Sequence, residues 1–218
     1  MTSPLLFLSG AGLPGWIWDD VRAALPTSTV ATYPSTGGLQ DYVTKVLDEA
    51  PERFTVVAHS IGGVVASQLV AQAPDRVDGL LAVAASIPRP GQSFLSALPF
   101  PQKLIVRAVI RLAGTKPPEK VIRAGVAAGL EESLVDRIVR EFSPESAALY
   151  RDTVAERTFP ARRGYLTTTA DKEFPVALQE VYAKNLDPTW THSLPTGHLP
   201  MLASPGDFSL ALKTFLES

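Results

Sequence analysis

The segment Thr55-Val56-Val57-Ala58-His59-Ser60-Ile61-Gly62-Gly63 sets one hydroxyl between an apolar run and a stretch of small residues. A serine on a sharp strand-to-helix turn has a strained backbone, and neighbours larger than Gly or Ala at two before and two after it would collide with the adjoining strand and helix. Ala58 stands where the G-x-S-x-G pattern begins with Gly, and is small enough to fit. Such a turn lifts the Ser60 hydroxyl above a sheet and leaves the Ile61 N–H at a helix start, free to stabilise an oxyanion. A serine that only caps a helix is the plainer alternative; the strand–turn–helix setting favours a nucleophile. The candidate bases for it are the three histidines of the chain: His59, His192 and His198. His59 adjoins Ser60, but side chains of consecutive residues at a tight turn diverge, so a packing role is expected. His192 falls inside a strand and is expected to be structural. The chain contains no cysteine, which excludes disulfides, a thiol nucleophile and thiolate zinc sites. An all-histidine metal site would need all three imidazoles, so no metal and no cofactor are expected.

These residues need a scaffold, and the hydrophobic pattern describes one. Apolar runs at Leu5–Leu8, Thr29–Tyr33, Phe54–Ala58, Gly79–Ala85, Gly164–Thr169 and Thr189–Leu194 read as six strands. Helical spacing fills the intervals: Trp16–Leu25 before Pro26, Leu39–Ala50, Gly62–Ala73 before Pro74, Pro175–Lys184, and Asp207–Leu216. Strands that are apolar throughout and separated by helices predict an α/β fold with a mainly parallel six-stranded sheet covered on both faces. From 87 to 163 the pattern changes to helices broken by Pro and Gly, at about Pro101–Ala113, Pro117–Gly129, Glu131–Phe142 and Pro144–Thr158, the last with Ser143 as N-cap. The expected organisation is a core of 1–86 and 164–218 with a helical cap of 87–163 inserted at the carboxyl side of the sheet, where open α/β sheets bind ligands.

The 218 residues, 45% hydrophobic and 19% charged, suffice for one domain with an insertion. A net charge of −2 argues against nucleic acid as a partner. That average conceals +5 over Pro88–Arg163 against −7 over the rest. The stretch from Met1 to Gly12 carries no basic leader and no apolar run long enough for a signal peptide or membrane span, so a cytoplasmic monomer or homodimer is expected.

The chain resembles the α/β-hydrolase-fold superfamily, in short motifs most closely its plant methylesterase and hydroxynitrile lyase branch. Three segments carry the likeness: Leu8–Gly12 with Trp16-Ile17-Trp18, the turn Ala58–Gly63, and Thr169-Ala170-Asp171-Lys172-Glu173-Phe174-Pro175 followed by Gly197-His198-Leu199-Pro200-Met201-Leu202. The resemblance implies an α/β-hydrolase fold and a triad in the order nucleophile, acid, histidine: Ser60, Asp171, His198. Asp171 directly follows a strand, and Glu173 and Asp187 are its competitors; a turn or N-cap aspartate is the plainer alternative for Asp171. The implied oxyanion donors are the backbone N–H groups of Ala11 and Ile61. Ser9-Gly10 stands where the family often has His-Gly, so hydrogen bonding in that loop must differ.

The implied activity is hydrolysis of a small to medium hydrophobic carboxylic ester through an acyl-enzyme on Ser60. Cleavage of a C–C bond or lactone by the same triad, and a non-catalytic ligand-binding role, are the alternatives. Hydroxynitrile lyase chemistry is disfavoured because Gly10 and Leu199 occupy the positions of its threonine and lysine. Dehalogenation and epoxide hydrolysis are disfavoured for want of an aspartate at Ser60. In the cap, Phe94, Leu95, Leu98 and Phe100 are candidates to line or gate an apolar pocket. Lys103, Arg107 and Arg111 form a stripe at i, i+4 and i+8. Attraction of an anionic substrate, an acidic partner or a membrane surface is the functional alternative; the expectation is a solvated basic face, with Leu104, Ile105, Ala108 and Leu112 turned to the core or pocket. Trp16 and Trp18 are expected in the core.

Overall fold

A computed structural model describes residues 3–25 and 27–218. Met1, Thr2 and Pro26, the expected helix stop, lie outside them. Six strands, β1 (Leu5–Leu8), β2 (Ser28–Val30), β3 (Phe54–His59), β4 (Val77–Val83), β5 (Arg162–Thr168) and β6 (Trp190–Leu194), form one sheet in the order β2-β1-β3-β4-β5-β6. Every pairing is parallel. Side chains of successive strand residues alternate between two apolar clusters. Leu6, Leu8, Val56, Ala58, Leu80 and Ala82 enter one, while Leu5, Phe7, Val57, Leu81 and Val83 enter the other. Helices cover both clusters, which is why the central strands β1 and β3 are buried at every position, while β6 at the sheet edge exposes Thr191, His192 and Ser193.

After a 3-10 turn at Gly15–Trp18, the helices are α1 (Asp19–Arg22), α2 (Leu39–Glu49), α3 (Gly62–Gln72), α4 (Phe94–Ala97), α5 (Gln102–Ala113), α6 (Glu119–Ala124), α7 (Glu132–Glu141), α8 (Ala147–Arg151), α9 (Val176–Leu186), α10 (Pro200–Ala203) and α11 (Pro205–Glu217). The amphipathic α2 buries Leu39, Tyr42, Val43 and Val46. In contrast, α3 is buried nearly all round, as its small and β-branched residues allow. Each fully buried Val or Leu contributes about 1.5–3 kcal/mol relative to exposure, so α3 is among the most firmly held helices.

The strand order reverses between β1 and β3: the chain runs outward from β1 to β2, then returns to build β3 to β6 on the other side. Loops leaving the carboxyl ends of β1 and β3 therefore diverge around a crevice at that point, the ligand position in open α/β sheets. Leu8 and Ala58 are partners in register, so Ser9–Leu13 and Ser60 leave the sheet at the same level.

Helices α4 to α8 all fall between β4 and β5. Two are shorter than the sequence pattern indicates. Glu119–Ala124 replaces Pro117–Gly129, and Ala147–Arg151 replaces Pro144–Thr158. The cap of α8 is Ser146, whose side chain accepts from the Ala148 N–H at 3.3 Å, not Ser143. Residues 143–146 are held out of the helix by longer-range bonds: the Ser143 N–H donates to Gly12 O, and the Glu145 carboxylate accepts from Tyr42 OH at 2.6 Å.

Candidate active site

Ser60 sits between β3 and α3 with φ of 55°, the left-handed region that costs a non-glycine residue about 1–3 kcal/mol. The surroundings enforce it. The Ser60 N–H donates to Val83 O, and Ser60 O accepts from the N–H groups of Gly63 and Ser86. A Cβ on Gly62 would come 2.7 Å from Leu8 O, and one on Gly63 would come 2.5 Å from Ser86 O. Both contacts are with backbone, so the two glycines are required by the close approach of β1 and the β4 exit. Ser60 is partly exposed, while His59 and Ile61 beside it are buried.

The structure brings His198 and Asp171 together. The His198 Nδ1–H donates to Asp171 Oδ2 at 2.7 Å, deep in the molecule. This leaves Nε2 as the basic nitrogen. Nε2 is buried and has no hydrogen-bond partner among the described residues, Ser60 Oγ included. The second oxygen of Asp171, Oδ1, accepts from the Glu173 and Phe174 N–H groups, each at 2.8 Å, and Thr168 Oγ1 donates to Oδ2. Burial pushes the Asp171 carboxyl up, and the bond and charge of His198, with the Phe174 N–H and Thr168 hydroxyl, outweigh it and hold the carboxyl below its usual value. Asp171 is therefore both a turn aspartate and the partner of His198, one role per oxygen. Gln179 locks the same turn by donating to Thr168 O and Phe174 O while accepting from the Thr168 N–H. Thr168 and Gln179 carried no sequence signal, since each acts only through the folded turn.

The competing carboxylates are elsewhere. Asp187 is exposed at the end of α9 and pairs with Arg163. Glu173 makes no hydrogen bond to Nδ1, whose partner is Asp171; its Oε2 lies against Gly125, where an added Cβ would approach to 2.5 Å. Burial raises the Glu173 carboxyl, with the charge of Asp171 adding to it against His198. His59 is buried, and its Nε2–H donates to His198 O at 2.8 Å, so it holds the loop that carries the candidate base. Burial lowers the His59 imidazole to about 3 and keeps it neutral. His192 lies exposed on β6, stacked on Trp190.

Ile61, buried in the core, is the N-cap of α3 directly after Ser60, and the half-buried Ala11 lies in the loop after β1. A Cβ on Gly10 would lie 2.9 Å from Ser60 Cβ, so the Ser9–Leu13 backbone rests against the serine. Neither the Ala11 nor the Ile61 N–H donates to an acceptor among the described residues. The altered loop has its own anchors. Trp18 Nε1–H donates to Ser9 Oγ at 3.0 Å, and Tyr33 OH donates to Ser9 O at 3.1 Å. From the far side, residues 142–145 strap the loop. The Gly12 N–H donates to Glu145 Oε1, Ser143 N–H to Gly12 O, and the Phe142 ring fills the space a Gly12 Cβ would take. Burial raises the Glu145 carboxyl, against the Tyr42 and Gly12 bonds. A cleft of about 320 Å³ reaches Ser9 alongside this strap, between Val30–Ser35 and Ser143–Glu145.

Apolar residues approach the imidazole from one side. Phe174 meets His198 edge-on at 5.2 Å, and Phe94 stacks on Phe174 at 6.3 Å. Leu95 and Leu98 are also buried, but Phe100 is 73% exposed and lines nothing. Trp18 is core as expected; Trp16 is half-buried, under the Arg137 guanidinium and bonded to Glu141. The expectation for α5 fails: Leu104, Ile105 and Leu112 face solvent instead of core, because Val106 and Ile110 take the inward side. Among the described residues, no group of three or more His, Asp or Glu is placed to hold a metal.

Comparison with known proteins follows this geometry. A family model described as the alpha/beta hydrolase family matches residues 5–211. A pimeloyl-acyl-carrier-protein methyl ester esterase of Pectobacterium carotovorum is 38% identical over 93 residues, a match spanning 38% of this chain and 36% of that relative. Its namesake in Citrobacter koseri is 27% identical over 95% of this chain and 91% of its own. Among solved structures, an extracellular alpha/beta-hydrolase from a Paenibacillus species superposes with a TM-score of 0.83 at 17% identity, covering 97% of this chain and 98% of that one. A methylesterase from Arabidopsis superposes at 0.78 and 18% identity, covering 98% and 99%.

Proposed function

The chain belongs to the alpha/beta hydrolase family, and from that premise we propose that it is a serine esterase cleaving a small to medium hydrophobic carboxylic ester. The observation that carries the proposal is the buried Asp171–His198 pair, with Nε2 unpartnered and the His198 carbonyl bonded to His59, the residue before a serine held at φ of 55°. His198 Nε2 takes the proton of Ser60 Oγ as the oxygen attacks the ester carbonyl. The carbonyl π pair moves to oxygen, and the N–H groups of Ile61 and Ala11 hold that anion. Collapse breaks the bond to the alcohol oxygen, which leaves with the proton from Nε2. Water then attacks the acyl-enzyme with His198 again as base; the second collapse breaks the bond to Ser60 Oγ, which takes the proton back from Nε2 as the acid departs. Asp171 holds the tautomer and stabilises the imidazolium between the two transfers.

Residues 87–163 act in this reading as the cap, with Phe94 and Phe174 giving the approach an apolar wall. The names of the relatives make methyl esters the first substrates to try. A series of activated esters of increasing acyl length tests the reading, with Ser60→Ala and His198→Ala alongside. Turnover that peaks at a short or medium chain and vanishes in both variants is expected. Hydrolysis that survives in Ser60→Ala would overturn it.

A further inference from the structure

Helix α5 presents an apolar surface where a soluble helix presents a polar one. None of its twelve residues is buried. Val106 and Ile110, half-buried against the core, define its inward side. At about 100° per residue, the outward side and one flank then belong to Leu104, Ile105, Ala108, Val109 and Leu112. Leu104 is 51%, Ile105 60% and Leu112 84% exposed, and Phe100, just before the helix, is exposed as well. The other flank carries Lys103, Arg107 and Arg111, all exposed. The surrounding sequence has one sign: between Asp78 and Glu119 there is no acidic residue, and five are Lys or Arg.

We propose that α5 is a docking helix that lies in the plane of an anionic lipid surface. Three features favour this occupant. The apolar stripe is convex and aliphatic, which suits a fluid apolar medium better than a complementary protein groove. The basic row runs parallel to it along the same axis, so apolar side chains can enter the acyl boundary while the three cations stay at headgroup level, the arrangement of interfacial amphipathic helices. A second copy packed antiparallel through α5 would bring two identical basic rows together. No helix among the described residues is long and apolar enough to cross a membrane, and α5 does not need to. The docking does not rest on the esterase reading, although together they would bring an ester dissolved in lipid to the cap.

Flotation of the full chain with vesicles tests this, comparing phosphatidylcholine alone with phosphatidylcholine mixed with phosphatidylglycerol. Binding to the anionic vesicles, weakened by salt, is expected. K103Q/R107Q/R111Q should lose about a hundredfold in partition, near fivefold per charge. L104S/I105S/L112S should lose binding as well, while both variants keep wild-type turnover of a soluble short-chain ester, which separates this test from the catalytic one. Three results would overturn the proposal: no flotation of wild type with anionic vesicles, apolar variants that float as wild type does (an acidic partner recognised by charge alone), or a wild-type dimer that L104S/I105S/L112S converts to monomer.

Discussion

Two glycines show how differently two regions of this chain are built. Gly63 follows the Ser60 turn, and any Cβ there meets backbone at 2.5 Å; Gly114 ends α5, and a Cβ there meets nothing within 4 Å. Around Ser60 the chain is fixed from every side, by β1, by the β4 exit and by the start of α3, and that packing sustains a backbone conformation serine does not prefer. Along α5, two half-buried side chains hold twelve residues. The contrast fits the task proposed for each region. Acyl transfer needs donors and nucleophile placed within a fraction of an ångström, and a surface that meets a fluid partner needs only the right faces outward.

Breaking the rigid region at its chemical centre should have the largest effect. Ser60→Ala and His198→Ala should each cost about a millionfold in kcat, as removal of either member does in a related triad, with the fold unchanged by circular dichroism. Next comes the strap. Glu145→Ala frees the Gly12 N–H and lets the Ala11 donor drift, so kcat should fall by about a hundredfold with KM much less affected. Glu145→Gln, which can still accept from Gly12, should recover most of the loss; equal defects in both would make the role steric packing instead.

Stability gives the sharper contrast between regions. Gly63→Ala should cost about 1–3 kcal/mol, measured by urea unfolding, since Ser86 O cannot retreat without moving β4. His59 sets a pH dependence. Its folded value, near 3, lies below the unfolded 6.5, so the unfolded chain binds the extra proton between those values. The stabilisation is complete above pH 6.5 and is lost as pH falls towards 3, by at most about 1.4 kcal/mol per pH unit. A Tm profile flattened over this window by His59→Gln is the expected check. At the far end of the scale, Leu112→Ser on α5 should shift stability by no more than about 0.5 kcal/mol; a larger loss would mean that α5 is held more tightly than its exposure indicates.

The parts of this site that the sequence revealed are those set by local chemistry. The turn at Ser60 is legible because small residues must flank it. The central strands are legible because both sheet faces are covered there, which makes β1, β3 and most of β4 apolar; the polar edge strand β6 was legible from its place in the alternation of strands and helices. Asp171 and His198 came from the family resemblance, which supplies the order of acid and histidine, and the turn-capping alternative for Asp171 coexists with the bond to His198. The strap was hidden because Gly12 and Glu145 lie 133 residues apart, and nothing near either announces the other. A local signal even pointed the wrong way there, since Ser143-Pro144 has the form of a helix start and the Glu145 bonds override it. The outward apolar face of α5 was hidden for a different reason. Periodicity groups residues by face, but the direction of a face depends on which neighbours the tertiary structure supplies.

The central claim is that the rigid region holds a working nucleophile at Ser60, activated by His198. Labelling with a fluorophosphonate probe, followed by peptide mapping, tests it most directly. The account predicts a single adduct on Ser60 in the wild type, strongly slowed in His198→Ala and absent in Ser60→Ala. A folded wild-type protein that takes no label, or takes it on another residue, would contradict it.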